Sequence, residues 1–159
     1  MSNLNFDESL ILKDIEARTK EEVIGMMANN LIEKKLVKES YRNAVIQREQ
    51  DFATGLPTAG VSVAIPHTDI EHVNQKAISI GILKEPVLFE IMGDSETTPV
   101  KLVFMLAMDE EHSQLELLQR LMQIFQDADF LMYLSNETDK TKIKEKVTAQ
   151  LDFSLKGGE

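Results

Sequence analysis

The chain has 159 residues, 43% of them hydrophobic and 28% charged, the proportions of an ordinary soluble protein long enough to bury one core. A formal net charge of −10 argues against a nucleic-acid partner, whose phosphates it would repel. With no cysteine there is no disulfide framework, no thiolate nucleophile and no cysteine metal site.

The N-terminus M-S-N-L-N-F-D-E carries neither the basic nor the apolar region of a signal peptide. No apolar run approaches the roughly 18–20 residues that cross a bilayer, so a cytoplasmic location is expected. Leu10, Ile11 and Leu12 suggest a short strand around Ser9 to Lys13. Thr19 with Glu22 three residues on has capping-box spacing, and Val23, Met26, Met27, Asn30 and Leu31 recur at helical intervals, predicting a helix over Lys20 to Lys35. A second helix follows Val37, with Ser40 at its boundary, and runs through Tyr41, Ala44, Val45 and Arg48. It gives way near Phe52 to A-T-G-L-P-T-A-G, read as a loop.

Val61, Val63 and Ile65 alternate with Ser62 and Ala64, the period of a strand with one apolar face. Pro66 ends it, because proline has no N–H for the ladder and keeps the preceding residue extended. Ala77 to Leu83 alternates again, and Val87 to Ile91 suggests a separate short edge strand. Gly93 to Pro99 reads as a polar turn. Val100 to Met108 is almost wholly apolar, the pattern of a central strand buried on both faces. From His112, Leu115, Leu118, Leu121, Met122 and Phe125 give a helix ending near Gln126. Asp127 or Asp129 caps a short helix holding Phe130, Leu131 and Leu134, and Lys140 to Leu151 forms the last helix before a frayed K-G-G-E tail. Strand, two helices, several strands, then helices: the order predicts one α/β or α+β layer fold.

Three polar groups fall at strand ends or helix boundaries in this reading. His67 follows the proline-terminated strand, Arg48 closes the second helix, and His112 opens the helix after the buried strand. Ligands collect beyond strand ends in open α/β sheets, and helix starts favour anions. An imidazole nucleophile beside a guanidinium and a second imidazole suits phosphoryl transfer, where catalysis is mostly positioning and charge stabilisation. A neutral imidazole is a competent nucleophile near pH 7, and a nearby Arg48 would favour that neutral form. Thr54 and Thr58 belong to the loop, where such residues commonly stabilise turns. Asp69 and His72 read as structural or partner-facing, and Met26, Met27, Met105, Met108 and Met122 as core filler.

Arg48-Glu49, Thr54-Gly55-Leu56-Pro57-Thr58, Gly60-Val61, Ala64-Ile65-Pro66-His67 and the later His112 together resemble the enzyme IIA proteins of the bacterial sugar phosphotransferase system, in the fructose–mannitol class. Thr68-Asp69 and the Gly-Leu-Pro-Thr run look most like the galactitol-type branch. The resemblance covers nearly the whole chain. It implies one domain over residues 1–152 with a tail over 153–159, built as a mixed β-sheet flanked by helices. It also implies a relay in which the phosphocarrier HPr phosphorylates a histidine of enzyme IIA. Enzyme IIA then passes the group to enzyme IIB, and so to sugar entering through the membrane enzyme IIC. Matched position by position, His67 falls on the phosphorylated histidine and Arg48 and His112 on the groups holding phosphate, with Thr54 and Thr58 as minor candidates. This chemistry needs no bound cofactor and no resident metal. Because the chain lacks cysteine, the family's cysteine-bearing IIB step must lie on another chain.

Two rival readings remain open on the residues. His67, Asp69 and His72 form H-x-D-x-x-H, and with His112 they make a candidate zinc set for a metal-dependent hydrolase. A regulatory relative of enzyme IIA would keep the same histidine but act by docking to other proteins.

Overall fold

The alternating and near-continuous apolar stretches pair with each other in a computed structural model that describes residues 4–157, with side chains as far as Leu151. The chain runs β1 (Ile11–Ile15), α1 (Lys20–Glu33), α2 (Tyr41–Asp51), β2 (Gly55–Leu56), β3 (Ser62–Ala64), β4 (Ala77–Glu90), β5 (Thr97–Ala107), α3 (Glu111–Ile124), α4 (Ala128–Asn136) and α5 (Lys140–Gly157). Single 3-10 turns stand at Glu8–Leu10 and Ile70–His72. The five strands form one mixed sheet in the order β1-β4-β5-β3-β2. β4 and β5 are antiparallel, while β1 joins β4 and β3 joins β5 in parallel.

β5 is the central strand that its composition predicts. Val103 and Met105 on one side pack with Val23, Met27, Leu31, Tyr41 and Val45 of the first two helices. Leu102, Phe104 and Leu106 on the other side pack with Leu117, Leu121, Leu131, Leu134, Ile143 and Val147 of the last three. Phe104 and Phe125 meet with ring centroids 5.1 Å apart. Burying each such side chain is worth about 1.5–3 kcal/mol, so both helical layers are held to the sheet by many terms of that size.

Helix starts follow the expected chemistry. The Thr19 side chain accepts from the Glu22 N–H, and Asp127, not Asp129, accepts from the Phe130 N–H. Three sequence expectations are corrected. Val87 to Ile91 is no separate edge strand: it continues β4, and Val87 to Glu90 pair with Val100 to Thr97 across a register irregularity. The loop after α2 contains β2, whose two residues are too few to show any period. A Cβ on Gly55 would lie 2.5 Å from the Glu90 carbonyl oxygen, so only glycine lets β2 settle there. Met26 and Met122 are exposed rather than core, unlike Met27, Met105 and Met108. α5 carries helical backbone to Gly157, into the stretch expected to be tail; Gly158 and Glu159 lie outside the described residues. At the far edge, β1 loses regular register between Leu12 and Ile15, where Asp14 has φ 54° in the left-handed region. Among the described residues no helix is long and apolar enough to cross a membrane.

Candidate active site

β3 lies between β2 and β5, and its regular pairing stops at Ala64. Ile65 is buried, and Pro66, without an N–H, uses its carbonyl to accept from the Leu106 N–H at 3.1 Å. The N–H and C=O of one strand residue point to the same side, so the Leu106 carbonyl also faces the place where β3 has ended. The Tyr41 hydroxyl, from α2, donates to it at 2.6 Å. A helix and the central strand therefore both fix the geometry at which the chain leaves the sheet.

His67 folds back on this strand end. Its Nδ1 lies 2.7 Å from the Ile65 carbonyl oxygen, and only 8% of the residue is exposed. A carbonyl can only accept, so Nδ1 is the protonated nitrogen and Nε2 of the neutral ring keeps its lone pair. Burial pushes the ring's pKa below the ordinary histidine value; the bond to Ile65 opposes this, the Arg48 guanidinium adds to it, and Asp69 opposes it. The result is a neutral imidazole with its acidic side tied down and the other nitrogen nucleophilic.

Arg48 occupies the last turn of α2 and is half-buried. Its guanidinium carbon sits 5.2 Å from the Phe52 ring centroid, a cation–π contact. Its Nε is buried without a hydrogen-bond partner, and among the described residues no carboxylate pairs with it. A cation beside a nucleophilic ring, with no anion of its own, is arranged to receive one.

The next residue, Glu49, is buried at 2% exposure and accepts from both the N–H and the hydroxyl of Thr54, each at 2.8 Å. Burial pushes its carboxyl pKa up, and the two Thr54 bonds pull it back. Sequence reading paired Glu49 with Arg48 but missed its burial. The signal was present: Tyr41, Val45 and Glu49 recur every fourth residue, which puts a carboxylate on the apolar stripe of α2.

The remaining candidates are placed differently. The His112 side chain is 73% exposed, and its Nε2 lies 2.6 Å from Glu116 one turn along its own helix, so its ring is not packed against His67. Thr58 donates to the Val61 carbonyl and accepts from the Gly60 N–H, shaping the turn before β3. Thr54 joins Glu49 to the Ile65 N–H, which it accepts at 3.2 Å. His72 meets the Ser40 hydroxyl through Nδ1 at 2.8 Å, tying the 3-10 turn to the start of α2. The H-x-D-x-x-H residues are thus not gathered: among the described residues no three His, Asp or Glu side chains are grouped to hold a metal ion.

Comparison with known proteins gives the family and the fold. The family model described as Phosphoenolpyruvate-dependent sugar phosphotransferase system, EIIA 2, matches residues 4–149. The galactitol-specific EIIA component of Escherichia coli (strain K12) is 30% identical over 127 residues, covering 80% of this chain and 84% of that protein. The crystal structure of IIA mannitol from Escherichia coli superposes with a TM-score of 0.72 at 25% identity, over 89% of this chain and 98% of that one. The fold is also that of a chain in the complex of enzyme IIA and phosphorylated enzyme IIB for mannitol from Escherichia coli. There the TM-score is 0.71 at 24% identity, over 89% of this chain and 96% of that one.

Proposed function

This chain belongs to the EIIA 2 family of the phosphoenolpyruvate-dependent sugar phosphotransferase system, and from that premise we propose that Nε2 of His67 is the atom that carries its phosphoryl group. The family's EIIA components are phosphotransferases that work through a histidine, and the chain is a phosphoryl carrier of that kind. The observation that carries the assignment is the bond from Nδ1 to the Ile65 carbonyl, which leaves Nε2 as the free nucleophile beside an unpaired guanidinium.

In the first step the Nε2 lone pair attacks phosphorus on the phosphohistidine of HPr. The new N–P bond forms as the donor's N–P bond breaks, and the donor ring keeps the electron pair. The attacking ring becomes positive, and the Ile65 carbonyl on Nδ1–H stabilises that charge. Arg48 donates to the phosphoryl oxygens. His112 takes the role of a second phosphate contact by turning from Glu116 towards the bound group. In the second step a cysteine of a separate enzyme IIB attacks the same phosphorus, and the N–P bond breaks as the S–P bond forms. The mannitol IIA–IIB complex, whose IIA fold this chain shares, supports a IIB acceptor, and the galactitol-specific relative supports a galactitol-like sugar entering through an enzyme IIC. Residues 1–152 would act here as one domain, working in the cytoplasm.

Incubation with phospho-HPr should place an acid-labile phosphate on His67. Continued labelling of His67→Ala, or a stable phosphoester elsewhere, would overturn the assignment.

A further inference from the structure

We propose that Glu49 and Thr54 are positioning residues for His67: acting through the backbone of Ile65, they hold the carbonyl that decides which ring nitrogen bears the proton. The proposal rests on the reading of His67 as phosphoryl acceptor.

The donors and acceptors leave a single arrangement. The Ile65 N–H must donate, so Thr54 Oγ accepts it at 3.2 Å. The hydroxyl proton of Thr54 is then free for Glu49 Oε1 at 2.8 Å, while the Thr54 N–H takes Glu49 Oε2 at 2.8 Å. Both carboxylate oxygens act as acceptors and both polar groups of Thr54 are committed. Beyond Ala64 the β2–β3 ladder stops, so this side chain replaces the backbone partner Ile65 would otherwise have. On the other side of Ile65, the Pro66 carbonyl is held by the Leu106 N–H. The Ile65–Pro66 segment is thus clamped at both ends, and the Ile65 carbonyl is left directed at His67 Nδ1. The link is mechanical: the N–H and C=O of Ile65 belong to different peptide planes, so no resonance passes between them.

A purely structural role explains this poorly. A carboxylate buried at 2% exposure, with no ion-pair partner among the described residues, is costly to keep. Glutamine has nearly the same shape and needs no charge there. What glutamine lacks is an acceptor at the second position: the two Thr54 donors reach different oxygens of Glu49, and in glutamine one of them would face an NH2 group, itself a donor. Two acceptors are what the clamp requires.

The test uses the full chain labelled with 15N-histidine, reading the His67 tautomer by long-range 1H–15N correlation and phosphorylation by single turnover from phospho-HPr. The wild type should show the Nδ1–H form. Thr54→Val and Glu49→Gln should populate the Nε2–H form. They should also slow phosphorylation by about ten- to a hundredfold at unchanged half-saturating donor. Thr54→Ser, which keeps the hydroxyl, should restore both readouts. An Nε2–H form in the wild type overturns the proposal, as does wild-type tautomer and rate in either folded variant. Glu49→Gln stands in if Thr54→Val does not fold. The tautomer is read without any phosphoryl donor. Failure of His67 to accept phosphate would therefore sink the functional reading and leave this measurement to judge the clamp.

Discussion

Replacing Arg48 by methionine tests the site most directly. Methionine keeps an unbranched apolar stem against Phe52 and removes the charge. The guanidinium it replaces is half-buried, pairs with no carboxylate among the described residues, and has an Nε with no partner there. A phosphoryl group brings a charge of about −1.5 to −2 at pH 7. A hydrogen bond to a charged group is worth about 1.5–3 kcal/mol, and every 1.4 kcal/mol is tenfold in rate. Losing one such contact should slow transfer from phospho-HPr by about 10- to 150-fold, measured by rapid-quench single turnover. The second readout has a definite sign. Arg48 helps hold the His67 pKa down, so Arg48→Met should raise it, and the acid limb of the rate profile should move to higher pH. Transfer within twofold of wild type, with a His67 pKa that stays put or falls, would show that the guanidinium does not face the reacting ring. Arg48→Lys should recover only part of the rate, because a single ammonium cannot both stack on Phe52 and grip two oxygens.

Other substitutions probe the surroundings. His67 has a native pKa below its ordinary value of about 6.5, so as pH falls through that value the unfolded chain binds a proton the native ring resists. Its contribution to stability is present above about pH 6.5 and lost below it, and His67→Ala should therefore reduce the drop in urea midpoint between pH 7.5 and pH 5.5. His112→Ala should leave the melting temperature unchanged, since the side chain is 73% exposed, and should slow phosphoryl transfer less than Arg48→Met does. An equal or larger loss would mean the ring swings fully into the site. Tyr41→Phe deletes the 2.6 Å bond to Leu106 and orphans a buried carbonyl. The cost should be about 1–3 kcal/mol, or about 2–4 °C of melting temperature per kcal/mol, read by calorimetry.

The elements that packing dictates were legible in the residues alone. β5 announced itself by unbroken apolar sequence, and α1 by a threonine cap and helical spacing, because burial leaves a periodic trace. β2 left none, since two residues carry no period and its position depends on Gly55 meeting the Glu90 carbonyl from far along the chain. The continuous β4 was split in the reading because Lys84, Glu85 and Pro86 look like a turn, whereas the structure absorbs them as an irregularity within one strand. At the site, Pro66 marked the end of the strand before His67, and Arg48 was legible as the close of the second helix, where it stands in the last turn of α2. The exposure of the His112 ring was not legible, because its pairing with Glu116 is a local choice that competes with any role at the strand end. The clamp on Ile65 was hidden for the opposite reason: Thr54 looked like any loop threonine until a buried glutamate was found to hold it.

The two margins of the sheet bear on how such a carrier survives its own traffic. A protein that repeatedly receives visitors next to a strand end risks being joined by one of them, since unpaired backbone groups invite a new strand from outside. On the β3 side only two residues, Gly55 and Leu56, form the outermost strand, too few to template a lasting ladder. On the opposite side the kink at Asp14 breaks the flat row of donors and acceptors that a newcomer would need. Partners can therefore arrive and leave by their side chains, with little opportunity to fuse into the sheet.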